Sequence, residues 1–439
     1  MHAILAIAKV TLKDALRKKV LFTILFFAVL LSVAAGFLPS VRPDDQVRQM
    51  VKISLAGMGF FGMVVAIFLS APSLPDDISK KTIFTVMTKP ARRWEIIAGK
   101  IVGLGYVLAI MLAIMGAAAY ICIAAWGAKL STGGSGLPLL GGNKPNYAKS
   151  IENHGLRLDV TQAMLDSKRA IVSGIDSITY HFEGLGTENY DGDTVYAKIT
   201  LFNHGSTYDN VTFEGTAALH AINPSTGESK TDIFGAETLR PTFQEFPKSM
   251  IDKEGRLDIV VERHLPMGSY SAMASSVAVL SQPSGFGANF VKALFLMFIQ
   301  YMLLVFIAVS ASTILTSTVS TIFALFVYFT GSLTEILRNQ ALALGSEANI
   351  FTMAEHTHEQ PHVVTMSGGQ WFVNMILRYF YLGISIMFPN LSSYDLSAAV
   401  SQNEYISSQT MVAGIWYGAV YAAGAFLIAW LIFRRKEVA

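Results

Sequence analysis

Long uncharged apolar runs alternate with short charged segments along most of the chain. An apolar run of about 18 residues or more is long enough to cross a bilayer as a helix. Such runs occupy residues 20–40, 53–75, 101–128, 293–334 and 405–433. The run 293–334 is too long for one helix, and a polar stretch at 310–321 interrupts it, so we interpret it as a hairpin of two helices. The pattern predicts six transmembrane helices.

The first 18 residues have the pattern of a helix lying in the headgroup plane. Apolar and basic residues recur on different faces of such a helix. The apolar face has Leu5, Ala8, Leu12, Ala15 and Leu16, and the basic face has Lys9, Lys13 and Arg17. A simple basic flank and a cleaved signal peptide are the alternatives. The signal peptide is disfavoured because the run 20–40 exceeds the roughly 7 to 15 residues of a signal core.

Basic clusters set the orientation. They lie before the first span, in the segment 79–100 after the second span, and at Arg434–Lys436. With six spans all three clusters fall on one side, and the excess of Lys and Arg identifies that side as the cytosol. We therefore expect a multi-pass protein of the cell (cytoplasmic or inner) membrane with both termini cytosolic.

Residues 371–390 are apolar and aromatic but contain Arg378, Gly383 and Pro389. If they formed a seventh span, the basic C-terminus would lie outside. We therefore predict an external re-entrant or interfacial element, with Trp371, Tyr379 and Tyr381 at headgroup depth.

Between spans three and four, residues 129–289 have the composition of a water-soluble domain, with 18 acidic and 13 basic residues. Apolar residues alternate with polar ones in 194–202, 211–221 and 256–263, which predicts strands. Turn signals separate them at 203–205, 223–227 and 252–255. We expect an extracytoplasmic β-sandwich-like domain, entered through a Gly-rich linker at 131–143 and containing a helix at 159–171.

Composition agrees with this membrane class. Of the 439 residues, 52% are hydrophobic and 15% charged, and the mean hydropathy is +0.45, which excludes an ordinary soluble domain. The single cysteine, Cys122, lies within an apolar run, so no intrachain disulfide can form.

Motifs for ATP hydrolysis and for catalysis are missing from the sequence. It has no Walker A motif and no recognisable nucleophile triad, and the centres of the predicted spans lack ionisable residues. We therefore expect a chain that is not an enzyme and binds no cofactor, and that takes its energy from another subunit.

One histidine-rich segment is a candidate metal site. His356, His358 and His362 lie within seven residues, near Glu355 and Glu359. Imidazole and carboxylate are ligands for zinc or copper. A polar external loop explains the segment better, because its spacing matches no known metal motif.

The segment 79–100 is both basic and amphipathic. Its cations are Lys80, Lys81, Lys89, Arg92, Arg93 and Lys100, and its apolar residues are Ile83, Phe84, Val86 and Met87. A positive-inside anchor explains the charges, and an apolar side suits docking on another protein.

The same segment resembles the cytosolic loop of ABC-2 type (type V) ABC transporter permeases. Thr88-Lys89-Pro90-Ala91-Arg92-Arg93-Trp94-Glu95 is similar to their Pro-x-x-Arg-x-Glu stretch, and Gly99-Lys100 to the pair that opens their third span. The likeness is greatest to the permeases grouped with copper-enzyme maturation and gliding systems. The opening of the loop differs, since Lys81-Thr82 stands where a Glu-x-Gly-Thr form is common.

The resemblance implies the permease subunit of an ATP-driven transporter, an exporter by family analogy. Its partners would be ABC ATPase subunits, which hold ATP and Mg, a second permease copy (homo- or heterodimer) and the lipid bilayer, without nucleic acid. It also implies a coupling role for the loop. The residues so implicated are Lys80, Lys81, Thr82, Phe84, Met87, Lys89, Pro90, Arg92, Arg93 and Glu95.

The predicted fold class is membrane all-α with an inserted β domain. Residues 1–128 form the interfacial helix and spans one to three, with the coupling loop at 76–100. Residues 129–289 form the external domain, and 290–439 form spans four to six with the re-entrant element. The alternative function is a membrane-anchored binding or sensory protein whose β domain is the active part.

Overall fold

The structure is a computed structural model of the 439-residue chain. It describes residues 2–17, 26–27, 30, 34, 43–79, 92–131, 141–153, 155–167, 172–173, 177–186, 194–204, 215–236, 242–263, 269–346, 368–402 and 404–435. The chain divides into two compact units. The membrane unit comprises Met1–Leu130, Phe290–Ser401 and Ile406–Ala439, and the β unit comprises Ser131–Asn289 and Gln402–Tyr405.

Helices account for the described part of the membrane unit. They are α1 (His2–Arg17), α2 (Pro43–Ser70), α3 (Ser73–Ser79), α4 (Arg93–Ser131), α6 (Phe286–Ser312), α7 (Ser317–Ser346), α8 (Gly368–Met387), α9 (Ser397–Ser401) and α10 (Ser408–Arg435). A short helix in the β unit, α5, spans Gln162–Ser167.

Five of the described helical segments are long and apolar enough to cross a membrane. These are α2 continued by α3, then α4, α6, α7 and α10, and the number becomes six if α8 and the short helices after it form one bent span. The chain is therefore a multi-pass membrane protein. The predicted first span, 20–40, lies largely outside the described residues, and the predicted break at 310–321 is present between α6 and α7.

Two helices begin earlier than the uncharged runs suggested. Helix α2 starts at Pro43 instead of residue 53, and α4 starts at Arg93 instead of residue 101. An uncharged run shows which residues a bilayer accepts. A helix can continue through charged residues outside the bilayer as long as its backbone hydrogen bonds are made. Helix α2 ends just before Pro72, because proline has no N–H to continue the ladder.

The segment after α8 reaches the middle of two long helices. The Phe388 ring lies 5.6 Å from that of Phe326, and Leu391 N–H donates to Gly331 O (3.0 Å) on α7. The Leu391 carbonyl in turn accepts from Gln300 Nε2 (3.2 Å), midway along α6.

Fifteen residues later the chain is back at the start of α6. There the Ile406 carbonyl accepts from Lys292 Nζ (3.0 Å). The axes of 372–387 and 392–401 differ by 58°. The predicted element at 371–390 is thus a helix followed by a turn within the membrane unit, and its membrane placement stays a prediction.

Small residues allow the long helices to approach closely. Gly62 on α2 faces the ring of Tyr301 on α6, whose hydroxyl donates to Met58 O (2.7 Å). Around this contact, a buried apolar cluster joins α2, α6 and α7. It comprises Met63, Ile67, Ala71, Leu303, Leu304, Ala308, Ala324 and Leu391.

Antiparallel sheets form the β unit. Its strands are β1 (Gly141–Tyr147), β2 (Ser150–Asn153), β3 (Leu156–Asp159), β4 (Val172–Ser173), β5 (Ser177–Phe182), β6 (Thr194–Ile199), β7 (Phe202–His204), β8 (Gly215–Ile222), β9 (Ser229–Ala236), β10 (Thr242–Pro247), β11 (Leu257–Arg263), β12 (Ser269–Ala272) and β13 (Val277–Gly285). Their orders are β1-β13-β6-β10, β3-β2-β5-β11-β8-β9 and β4-β12-β7.

The four-stranded and six-stranded sheets share one hydrophobic core, as in a sandwich. The alternating residues of the predicted strands are its members: Val195, Ala197 and Ile199 from one sheet, and Leu257 and Ile259 from the other, each at most 1% exposed. The period-two pattern thus identified the inward faces correctly.

Two predicted turns of the β unit have the backbone that their glycines allow. Gly227 and Gly255 have φ of +72° and +74°, in the left-handed region. At the second turn, Asp252 binds the Ser225 hydroxyl and the Arg256 guanidinium (2.8 Å), and these bonds lower the pKa of its carboxyl.

Two expectations for the β unit needed correction. The Gly-rich segment 131–143 is not linker throughout, because Gly141 and Gly142 already pair with β13 in strand β1. The helix expected at 159–171 begins later, since Asp159 pairs with Ser150 in β3 and α5 starts at Gln162; residues 168–171 lie outside the described residues.

Candidate functional site

The ends of the basic segment are the part that the structure describes. Residues 80–91 lie outside the described residues, and so do seven of the predicted coupling residues. These are Lys80, Lys81, Thr82, Phe84, Met87, Lys89 and Pro90. The histidine candidates His356, His358 and His362 also lie outside them. Helix α3 leads into the segment, and Arg92 and the first turns of α4 lead out of it.

A charged clamp joins these two ends. Lys100 on α4 forms an ion pair with Asp77 on α3 (Nζ to Oδ2, 2.5 Å) and donates to the carbonyl of Ser73. The Lys100 side chain is only 8% exposed, while Asp77 is 37% exposed. A buried ammonium is stable only when it is paired and hydrogen-bonded. The clamp therefore fixes α3 against α4 on either side of residues 80–91.

Lys100 does not open α4. Because the helix begins at Arg93, the Gly99-Lys100 pair lies about two turns inside it. This position explains the burial of the ammonium, which packs against the neighbouring helix instead of entering solvent. The pair thus lies inside the helix, and its position at the start of the membrane-spanning part of α4 stays a prediction.

The first turn of α4 is capped by one of the predicted coupling residues. Arg92 N–H donates to Glu95 Oε2 (2.8 Å), and Glu95 N–H donates to Arg92 O (2.9 Å). The side-chain bond is one half of a capping box, and the carboxylate also favours the positive end of the helix dipole. Glu95 thus has a structural role in defining where the segment ends.

Helix α1 packs on the same part of α4 through two glycines. A Cβ at Gly99 would lie 2.7 Å from Ile7 Cβ, and a Cβ at Gly103 would lie 2.7 Å from Thr11 Cβ and 2.8 Å from Ala8 O. Gly99 and Gly103 are four residues apart, so they line one face and let two backbones approach closely. The predicted interfacial helix is therefore seated beside the clamp.

Gly103→Ala tests this seat. The added methyl group would displace backbone as well as side chain, so we expect α1 to detach and trypsin to cleave at Lys9 and Lys13 at least fivefold faster. Gly105→Ala is the matched control, because its Cβ would meet only the flexible end of Met302 at 3.0 Å. Equal cleavage rates in both variants and the wild type would show that α1 does not depend on this contact.

Through these contacts α1, α3 and the start of α4 pack together as one group of helices. The sequence analysis identified Lys100 as one of the cations of the segment but did not pair it with Asp77. The pairing could have been predicted from the opposite charges of these two residues at the two ends of the loop.

Comparison with known proteins agrees with the geometry. The described helices define a multi-pass membrane protein, and residues 5–140 match the family model for ABC-2 family transporter proteins. The matched range includes α1, both ends of the basic segment and α4, and the resemblance to ABC-2 type permeases is thereby confirmed. No curated protein matches the chain. This match supports a transmembrane transport subunit, and similarity to that family implies an ABC ATPase as partner.

Proposed function

We propose that this chain is the permease subunit of an ATP-driven exporter, energised by a separate ABC ATPase that docks on residues 80–91. The observation that carries the proposal is the Lys100–Asp77 clamp, which fixes both ends of the segment. ATP and Mg would bind to the ATPase, and this chain would contribute no catalytic group.

The clamp suits a transmission element for a physical reason. A docked loop moves its neighbouring helices only if its ends are rigidly attached, and a buried ion pair with a second hydrogen bond supplies that attachment. Closure of the ATPase would then shift α2, α3 and α4 together, with α1 carried along by its glycine contacts.

The remaining parts of the proposal come from the family and from charge. The permease would act as a homo- or heterodimer in the cell membrane, with both termini and the basic segment in the cytosol. The β unit would be extracytoplasmic, where it would contact cargo, a partner protein or the cell envelope. The narrower likeness to permeases of copper-enzyme maturation and gliding systems stays a prediction.

Charge reversal at the cytosolic segment tests the docking. We expect the Arg92→Glu/Arg93→Glu double variant to reduce co-purification of the ATPase at least tenfold, because both cations flank the docking segment. The cap of α4 should survive, since it uses the backbone N–H of Arg92. The readout is mass spectrometry of proteins purified with the full chain, scored for a subunit that has a Walker A motif.

Arg157→Glu is the matched control, since its side chain is 55% exposed and it belongs to the β unit. Undiminished ATPase recovery and hydrolysis in the double variant would contradict the docking role. Absence of any ATPase from the wild-type preparation would contradict the proposed function itself.

A further inference from the structure

A half-open cavity of about 210 Å³ lies within the membrane unit. It is bounded by α2, α6, α7 and the turn that follows α8. Ligand pockets for drug-sized molecules have volumes of roughly 300 to 1,000 Å³. The cavity is therefore large enough for the head group of a ligand but too small for a whole drug-sized molecule.

Oxygen acceptors gather on its wall. Gln300, Tyr328, Ser332 and Asp395 contribute an amide, two hydroxyl groups and a carboxylate. Gln300 is 7% exposed and its Nε2 donates to Leu391 O, which orients the amide. Asp395 is also fixed, because its Oδ1 accepts from Ser397 N–H (3.0 Å).

The charge of this wall favours a cation. Asp395 supplies one negative charge, and no lysine, arginine or histidine is among the described residues that line the cavity. Two aromatic rings, Phe60 and Tyr328, also line it. Aromatic faces and a carboxylate together are the chemistry that recognises a substituted ammonium group.

An apolar track leads away from the cavity along α2. Phe60 is 56% exposed, and Ile53, seven residues earlier and hence on the same helical face, is 41% exposed. A molecule with its head group beside Asp395 can therefore extend an apolar chain over Phe60 and Ile53 without burying further polar atoms.

We propose that this cavity binds the cationic head group of an amphipathic molecule, with the Asp395 carboxylate as its charge partner. This inference rests on the proposed function in one respect: the molecule would be the cargo of the transporter. Gln300 Oε1 and the hydroxyl groups of Tyr328 and Ser332 would accept from the head group or its hydration shell.

The test uses three probes with the same tail and different heads: dodecyltrimethylammonium, dodecyl sulfate and dodecyl maltoside. Each is titrated below its micellar concentration against the full chain in nanodiscs. Cys122, the single cysteine, reports unfolding through a thiol-reactive dye. We expect dodecyltrimethylammonium to raise the unfolding temperature at concentrations at least tenfold lower than the other two.

Asp395→Asn should weaken this effect at least tenfold while keeping the fold, since asparagine still accepts from Ser397 N–H. Glu254→Gln is the control, because the Glu254 side chain is 72% exposed and belongs to the β unit; we expect less than a twofold change. Equal responses to all three probes, or to dodecyltrimethylammonium in wild type and Asp395→Asn, would overturn the inference.

The head-group series on the wild type decides the matter even if a variant does not fold. The measurement needs no ATPase, so its outcome is separate from that of the proposed function. Selective binding of dodecyltrimethylammonium without a co-purifying ATPase would support the head-group site and refute the proposed exporter function. A co-purifying ATPase without selective binding would refute only the head-group site.

Discussion

Lys100→Ala is expected to destabilise the membrane unit and to uncouple the ATPase. Lys100→Ala removes two charge-assisted hydrogen bonds, and water can solvate the Asp77 carboxylate that remains because it is 37% exposed, so the expected cost is about 1.5–3 kcal/mol. We expect the unfolding temperature reported by Cys122 to fall by roughly 5 °C. ATP hydrolysis by the assembled complex should fall at least tenfold, since α3 and α4 would no longer move together.

Three further variants make this result specific. Lys52→Ala removes an exposed lysine of α2 and should change neither quantity. Lys100→Arg should retain part of the stability and part of the ATP hydrolysis. The double variant Asp77→Lys/Lys100→Asp, which exchanges the two charges, should be more active than either single variant. If Lys100→Ala keeps its stability and its hydrolysis within twofold of wild type, the clamp is not a coupling element.

Gly62→Ala is the second large effect, and it concerns stability alone. The new Cβ would lie 2.2 Å from Tyr301 Cζ and 2.3 Å from its hydroxyl oxygen. Tyr301 is fully buried, and displacement of its ring would also break the bond to Met58 O. Overpacking and the lost hydrogen bond together cost about 3 kcal/mol or more.

Gly59→Ala provides the matched control on the same helix, because a Cβ there meets nothing within 4 Å. We expect it to leave thermal unfolding unchanged or slightly higher. The double variant Gly62→Ala/Tyr301→Leu should recover much of the loss by making room. Gly62→Ala with the unfolding temperature of Gly59→Ala would contradict the close contact between α2 and α6.

Patterns along the chain predicted the elements whose cause is local. Alternation in 194–199 and 257–263 identified the buried faces of β6 and β11, since a strand exposes successive residues to opposite sides. The break between α6 and α7 was predictable for a similar reason, because it falls in a polar stretch between two apolar runs.

Contacts between distant residues could not be predicted in this way. The pairing of Lys100 with Asp77 depends on how α3 lies against α4, and charge alone suggested a solvated cation. The partners of Gly99 and Gly103 lie almost a hundred residues away in α1. The cavity at Asp395 combines four elements, so no local pattern contains it.

The uncharged runs also misplaced helix boundaries for a physical reason. Hydropathy reports what a bilayer accepts, whereas α4 extends to Arg93 because Glu95 satisfies its first turn. The boundary of the helix and the boundary of the membrane are different quantities at this end of α4.

Photo-crosslinking at the basic segment tests the central claim most directly. A benzophenone amino acid replaces Phe84 in the full chain, and a control replaces Ile233, which is 55% exposed on β9. We predict a crosslink from position 84, and not from position 233, to a protein with a Walker A motif. No such product at position 84, or equal yields at both positions, would contradict the account.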